Sequence, residues 1–437
     1  MTAREDARDA AALDAAATEG SAAHAGNTSA GATVEEAPES RHARTGDRLS
    51  LALMLFYLLS TLALALMAVV TPEMQGRFGL SASQTGLLTS VFMFVYGVVG
   101  IPAGAAAARW GGRPLAVSCF LFVAGSVVFA LSSSYAGFLA GRVLQGLGGG
   151  MVLPVSSPVM ARFLAPEARN RGWGVFASGK GLGALVGLLL MPSVANLGGF
   201  RAVFLATAGI SAVIGIICLA QKPVRALPER LPRRRSVGGF GRDLGSVVVN
   251  PKVLLLGLFN AASLAVGTGV LVWTPHFLEA RYGSSAGVAA YLTAGLAMAQ
   301  LIGAPTGAAG AIRWGRMTII TGSMLSMSVV TALVPFVPGR VLVFIMVVLV
   351  GFFSLAYFSP RFAMIPDVVA HPEQIGAAAG MINLLGFGIS TLAPWLFGLA
   401  LDRGLGYGAG YLVFAAFGFA GVAGSFFFKV PKRLLSS

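Results

Sequence analysis

The chain has 437 residues, of which 56% are hydrophobic and 11% charged, with a mean hydropathy of +0.79 and a net charge of +14. A soluble domain carries about 25% charged residues, so this composition excludes an ordinary water-soluble fold and places the chain in a lipid bilayer. The positive charge does not point to nucleic acid, because the cations lie in short loops between apolar runs, where they set topology.

Residues 1–48 hold nine of the 17 acidic residues and no aromatic side chain. Such a stretch buries too little apolar area to offset chain entropy, and a disordered cytoplasmic tail is expected. It lacks the apolar core of a signal peptide, so the first span acts as the insertion signal. Apolar runs then follow at about 49–71, 84–107, 114–132, 136–160, 172–194, 201–220, 253–277, 287–311, 316–336, 341–364, 375–399 and 408–428. Cys119 and Cys218 fall inside these runs and read as small buried hydrophobes rather than as a disulfide or a metal site. Twelve spans place both termini on one side. With that side cytoplasmic, 23 of the 31 Lys and Arg are cytoplasmic, five are external (Arg77, Arg201, Arg281, Arg340, Arg403) and three lie at membrane depth (Arg142, Lys180, Arg361). The polar stretch 221–252, with Arg233, Arg234 and Arg235, is the expected linker between a bundle at 49–220 and a second at 253–437.

The two parts repeat one another. Thr71-Pro72 followed by Arg77-Phe78-Gly79 is echoed by Thr274-Pro275 followed by Arg281-Tyr282-Gly283. Gly100, Pro102 and Gly104, with Arg109-Trp110-Gly111 and Arg113, return as Gly303, Pro305 and Gly307, with Arg313-Trp314-Gly315 and Arg316. Gly141-Arg142-Val143-Leu144 matches Gly339-Arg340-Val341-Leu342, which suggests a third echo. The expected fold is all-α: twelve transmembrane helices in two pseudo-symmetric six-helix bundles. Halves related in this way build many secondary transporters, with the site at mid-membrane between them.

Over about 49–430 the chain resembles the major facilitator superfamily. Gly104, Arg109, Gly111, Gly112 and Arg113 are similar to the family's loop between helices 2 and 3, although Ala108 stands where the family usually has Asp. The resemblance implies a gating role for Gly104, Arg109, Gly111 and Arg113, with the carboxylate of the usual latch missing. Arg142, Gln145, Gly146 and Gly148 match the family's helix-4 element in full, and Pro166, Arg169, Arg171 and Gly172 resemble its loop between helices 4 and 5. The helix-5 Gly-Pro element of many drug/proton antiporters is degraded: Leu188 follows Gly187, and Pro192 comes later. The resemblance also implies a monomer and no cofactor.

Arg142 and Lys180 sit deep in apolar runs, where an ionised side chain is expensive and marks function by default. A lysine stem reaches only about 6 Å, too short to carry the charge of Lys180 to a membrane surface. Glycines at small-xxx-small spacing, Gly179, Gly183 and Gly187 in run five and Gly146, Gly149 and Gly150 in run four, predict close packing that holds the two cations near one another. Arg361 is expected near the cytoplasmic end of run ten, reaching out to the surface, and His276 is expected to be interfacial. No Asp or Glu occupies a span interior, so a proton- or sodium-carrying carboxylate is absent and the counter-ion can be the substrate itself. Arg matches carboxylate and phosphate oxygens, Lys adds a point charge, and Asn260, Gln300, Tyr357 and Asn383 are candidates to complete the site.

The expectation is a secondary transporter of a small organic anion, working by alternating access and possible exchange in a bacterial inner membrane, whose partners are that anion and the bilayer. A proton-coupled exporter of amphipathic compounds and a transporter-like sensor stay open as alternatives. No catalytic or metal motif supports an enzyme.

Overall fold

The computed structural model describes residues 38–164, 166–225, 245, 247–371 and 374–428. The tail as far as residue 37, the linker over 226–244 with Arg233, Arg234 and Arg235, and the residues after 428 lie outside the described residues, as do the side chains of Ala108, Pro166, Arg169 and Arg171. From Thr45 onward the chain forms one compact unit. Among the described residues all regular structure is helical: α1 (Pro38–Phe78), α2 (Ala82–Trp110), α3 (Pro114–Leu131), α4 (Tyr135–Phe163), α5 (Pro166–Leu189) and α6 (Met191–Ala220), then α7 (Pro251–Tyr282), α8 (Ala286–Trp314), α9 (Arg316–Leu333), α10 (Arg340–Ala356), α11 (Ile375–Ser390, resuming as Leu392–Asp402) and α12 (Gly406–Phe426).

Among the described residues eleven spans are long and apolar enough to cross a bilayer, where the backbone must satisfy its own hydrogen bonds. The twelfth, α5, has only a short apolar part among the described residues, Ser178–Leu189. It runs almost directly into Met191, and the chain reverses at Gly198 and Gly199, the latter with φ of 64°.

The duplication is visible in the caps. Ser81 accepts the Gln84 amide while Gln84 reaches back to the Ser81 amide, and Ser285 accepts the Val288 amide at the matching place. At the other end Gly111 and Gly315 stop α2 and α8 with φ of 62° and 89°, a region that disfavours any side chain. Arg109 lies 5.3 Å from the centre of the Trp110 ring, and Arg313 lies 5.3 Å from that of Trp314. The third sequence echo is out of register: Arg340 is the first residue of α10, whereas Arg142 lies two turns inside α4.

Between the halves, α2 packs along α11 and α5 along α8, two seams related by the same pseudo-symmetry. The loops 79–81, 132–134, 198–199, 283–285, 334–339 and 403–405 define the far end of the molecule. The opposite end, where residues 221–250 attach, is called the linker end.

The glycine series pack differently from expectation. A methyl at Gly179 or Gly183 would run into the Met54 or Leu58 carbonyl, and one at Gly187 into Ala65, so this stripe seats α5 on α1. Gly146 and Gly150 face the carbonyls of Phe92 and Tyr96 on α2, and Gly148 faces that of Ser118 on α3. Apolar helices in lipid choose partners by small-residue fit, and here the stripes of α4 and α5 fit different neighbours.

Candidate functional site

The placement of Lys180 follows from its neighbours in α5. Gly179 turns to α1 and Gly181 to Leu301 and Ala297 of α8, which leaves Lys180, one residue from each, between α1 and α8. There it is half-buried and lines a cavity of about 20 Å³, room for water-sized occupants, between the halves. Thr61 and Leu64 of α1, Ser263 and Thr268 of α7, Gln300 of α8 and Ser354 of α10 share the lining, and no acidic side chain does. The ion pairs among the described residues lie at the two ends: Arg77 with Glu73 at 3.5 Å, and Arg316 with Asp367 at 2.7 Å.

The polar groups of α7, α8 and α10 are tied together. Ser263 donates to the Ser354 carbonyl at 2.8 Å, and Gln300 Nε2 donates to Ser354 Oγ at 3.2 Å. Next to them, Tyr357 donates to Asn260 Oδ1 at 3.0 Å, and Asn260 Nδ2 reaches the Ile382 carbonyl at 3.3 Å. Gln300 thus shares the cavity with Lys180, Asn260 and Tyr357 are bonded to one another beside it, and Asn383 is half-buried on α11 next to Ile382.

Arg142 lies elsewhere. It is wholly buried, with Nε donating to the Leu88 carbonyl at 3.0 Å and Nη1 to the Ala63 carbonyl at 3.0 Å and to Gln145 Oε1 at 2.9 Å. Phe92 covers its guanidinium at 4.5 Å, and Nη2 has no partner. It joins α1, α2 and α4 inside one half and is not among the residues lining the cavity.

Arg361 departs from the sequence expectation. The α10 helix ends at Ala356 and continues as a short helix over Phe358–Ala363, which turns Arg361 inward, 1% exposed, instead of out to the surface. Its Nε and Nη1 have no hydrogen-bond partner. Sequence reasoning placed this residue by counting along an unbroken helix; Pro360 and the aromatic residues Tyr357, Phe358 and Phe362 around it were the available signal.

The gating candidates sit at the linker end. Gly104 faces Pro154, Arg109 is exposed beside Trp110, Gly111 ends α2, and Arg113 Nε donates to the Arg225 carbonyl at 3.4 Å. Among the described residues every hydrogen bond joining the two halves lies toward the far end instead. The amides of Ala82 and Ser83 both donate to the Asp402 carboxylate at 2.9 Å, so α11 caps α2 across the seam. Deeper in, Ser90 donates to the Thr391 carbonyl at 2.5 Å and Thr391 to the Ser90 carbonyl at 2.7 Å. His276 joins Gln75 Oε1 at 2.8 Å and Tyr407 at 2.5 Å, a cross-half contact rather than a purely interfacial position.

A chain whose described residues form helices only, eleven of them long and apolar enough to cross a bilayer, with a polar cavity between two like halves, has the build of a secondary transporter. The family model described as Major Facilitator Superfamily matches residues 53–394, and the chain belongs to that superfamily. It is 25% identical over 398 residues to the fosmidomycin resistance protein of Escherichia coli K12, covering 84% of this chain and 89% of that protein. It is 30% identical over 176 residues to the probable anion transporter 5 of Arabidopsis thaliana, which is 39% of this chain; of that relative's own length the chain spans 40%. Its fold is similar to the crystal structure of a bacterial homolog to the human lysosomal transporter Spinster, with a TM-score of 0.71 at 18% identity, covering 88% of this chain and 96% of the other.

Proposed function

We propose that this chain carries a small organic anion across a bacterial inner membrane by alternating access, with Lys180 as the charge that receives it. The observation that carries this reading is a lysine ammonium in the cavity between the halves, among hydroxyl and amide groups and without an acidic neighbour. A half-buried cation without a counter-ion is expensive in an apolar bundle, and an anionic substrate removes that expense. Gln300, Asn260, Tyr357 and Asn383 supply the neutral donors that orient it. Arg142 serves the site indirectly, because its hydrogen bonds hold α1, which lines the cavity, against α2.

The distribution of Lys and Arg supports a cytoplasmic linker end, and the hydrogen-bonded far end then makes this an outward-closed arrangement. Reorienting an empty carrier drags an unneutralised charge through the closed state, so exchange of one anion for another outpaces net flux. The partially matched relative named an anion transporter supports the anionic substrate.

Thermal stabilisation of the purified protein by acetate, propionate, succinate, glutarate, sulfate and phosphate tests the site, run in parallel on wild type and Lys180→Gln. Stabilisation of wild type by an anion, lost in the variant, is the expected result. Equal responses, or none, overturn it. An exporter of amphipathic compounds is the second reading, favoured by the relative named for fosmidomycin resistance that matches most of the chain; increased drug sensitivity of a deletion strain, with no anion response of the protein, would select it.

A further inference from the structure

We propose that Arg361, which is not itself among the residues lining the cavity, forms a second anion-binding subsite beyond it, and that the substrate is an elongated dianion of the dicarboxylate type, held at one end by Lys180 and at the other by Arg361. This rests on the anion reading and narrows it.

Three observations carry it. First, Arg361 is 1% exposed, yet its Nε and Nη1 have no hydrogen-bond partner. Buried N–H groups are nearly always paired, so two free donors on one buried guanidinium call for an acceptor. The rings of Phe362, Phe358 and Tyr357, with centroids 4.4, 5.5 and 5.6 Å from its Cζ, attract the charge through their faces.

Second, Arg361 acts across the seam. Its charge lies within electrostatic range of Lys180 and of the Tyr57 hydroxyl, both in the other half, where Tyr57 stacks on Phe176 of α5 at 4.7 Å. Two cations brought this near in an apolar setting repel. A monoanion leaves one of them unneutralised, whereas a dianion satisfies both.

Third, Arg361 stands apart from the cavity lining in the chain: it follows Ser354 by seven residues, past the break at Tyr357 and on a separate short helix. Two anionic groups several ångströms apart suit this arrangement; the clustered oxygens of sulfate or phosphate do not. A molecule with two charged ends also links a residue of each half, so only such a substrate draws the halves together.

The test compares propionate, succinate, glutarate and sulfate as stabilisers of the full-length purified protein, in wild type, Arg361→Gln, Arg361→Lys and Lys180→Gln. In wild type, succinate or glutarate is expected to reach half-maximal stabilisation at a concentration at least tenfold below that of propionate. Arg361→Gln should lose that advantage and keep the propionate response, Arg361→Lys should retain part of the advantage, and Lys180→Gln should lose both. Equal potency of propionate and dicarboxylates in wild type overturns the inference whether or not the Gln variant folds. So does an undiminished dicarboxylate preference in Arg361→Gln, or sulfate acting best. If no anion stabilises wild type, or Lys180→Gln responds fully, the anion reading itself fails.

Discussion

Among the described residues two arginines are buried, Arg142 on α4 and Arg361 just beyond α10. Their surroundings differ in kind. Arg142 donates to two backbone carbonyls on neighbouring helices and to a glutamine in its own helix, which in turn donates to Ser126 at 2.9 Å. Arg361 has three aromatic rings and two unanswered donors. Arg142 keeps one guanidinium nitrogen without a partner, Nη2, and makes three hydrogen bonds with the others, whereas Arg361 has two without a partner, Nε and Nη1. Burial alone does not make a charge functional; the count of donors left over is the better guide.

Breaking the first member should cost the most. Arg142→Met strands the Ala63 and Leu88 carbonyls and the Gln145 amide in an apolar bundle, a loss of about 3–5 kcal/mol, seen as a large fall in melting temperature or in the yield of monodisperse protein. Arg361→Met should go the other way in the absence of substrate. Exchanging a poorly satisfied buried charge for an apolar side chain of similar length is expected to leave stability unchanged or raise it by about 1–2 kcal/mol, read by the same melt, while the dicarboxylate response disappears. A fall as large as that of Arg142→Met would erase the distinction between the two. The smallest effect is predicted at Gln145→Ala, about 1 kcal/mol, and the double variant with Arg142→Met should be little worse than Arg142→Met alone, because both changes break one network.

Much of the architecture was legible in the residues. Apolar runs located eleven of the spans, whereas the fifth, expected over 172–194, has an apolar helix only over Ser178–Leu189 among the described residues, and the Arg-Trp-Gly repeats marked the ends of α2 and α8. Lys180 was legible as a deep cation because its stem is too short to escape. What stayed hidden depends on partners that leave no mark in composition. The carbonyls of Ala63 and Leu88 that hold Arg142 are present in every residue, so no pattern of side chains announces them. Glycine stripes state that a helix is approached closely without naming the helix, which is why α5 seats on α1 rather than on α4. The echo of Arg142 in Arg340 failed because four similar residues can recur without sharing a position in their helices. Arg361 was misplaced by assuming a straight helix through Tyr357.

The carboxylate of Asp402 does more than join two helices. It occupies the amides of Ala82 and Ser83, which belong to the opposite half, so whenever the far end parts those two groups lose their acceptor and meet water together. Deuterium uptake at these neighbouring positions therefore clocks the opening of the molecule from the inside, with no label attached and no substrate required.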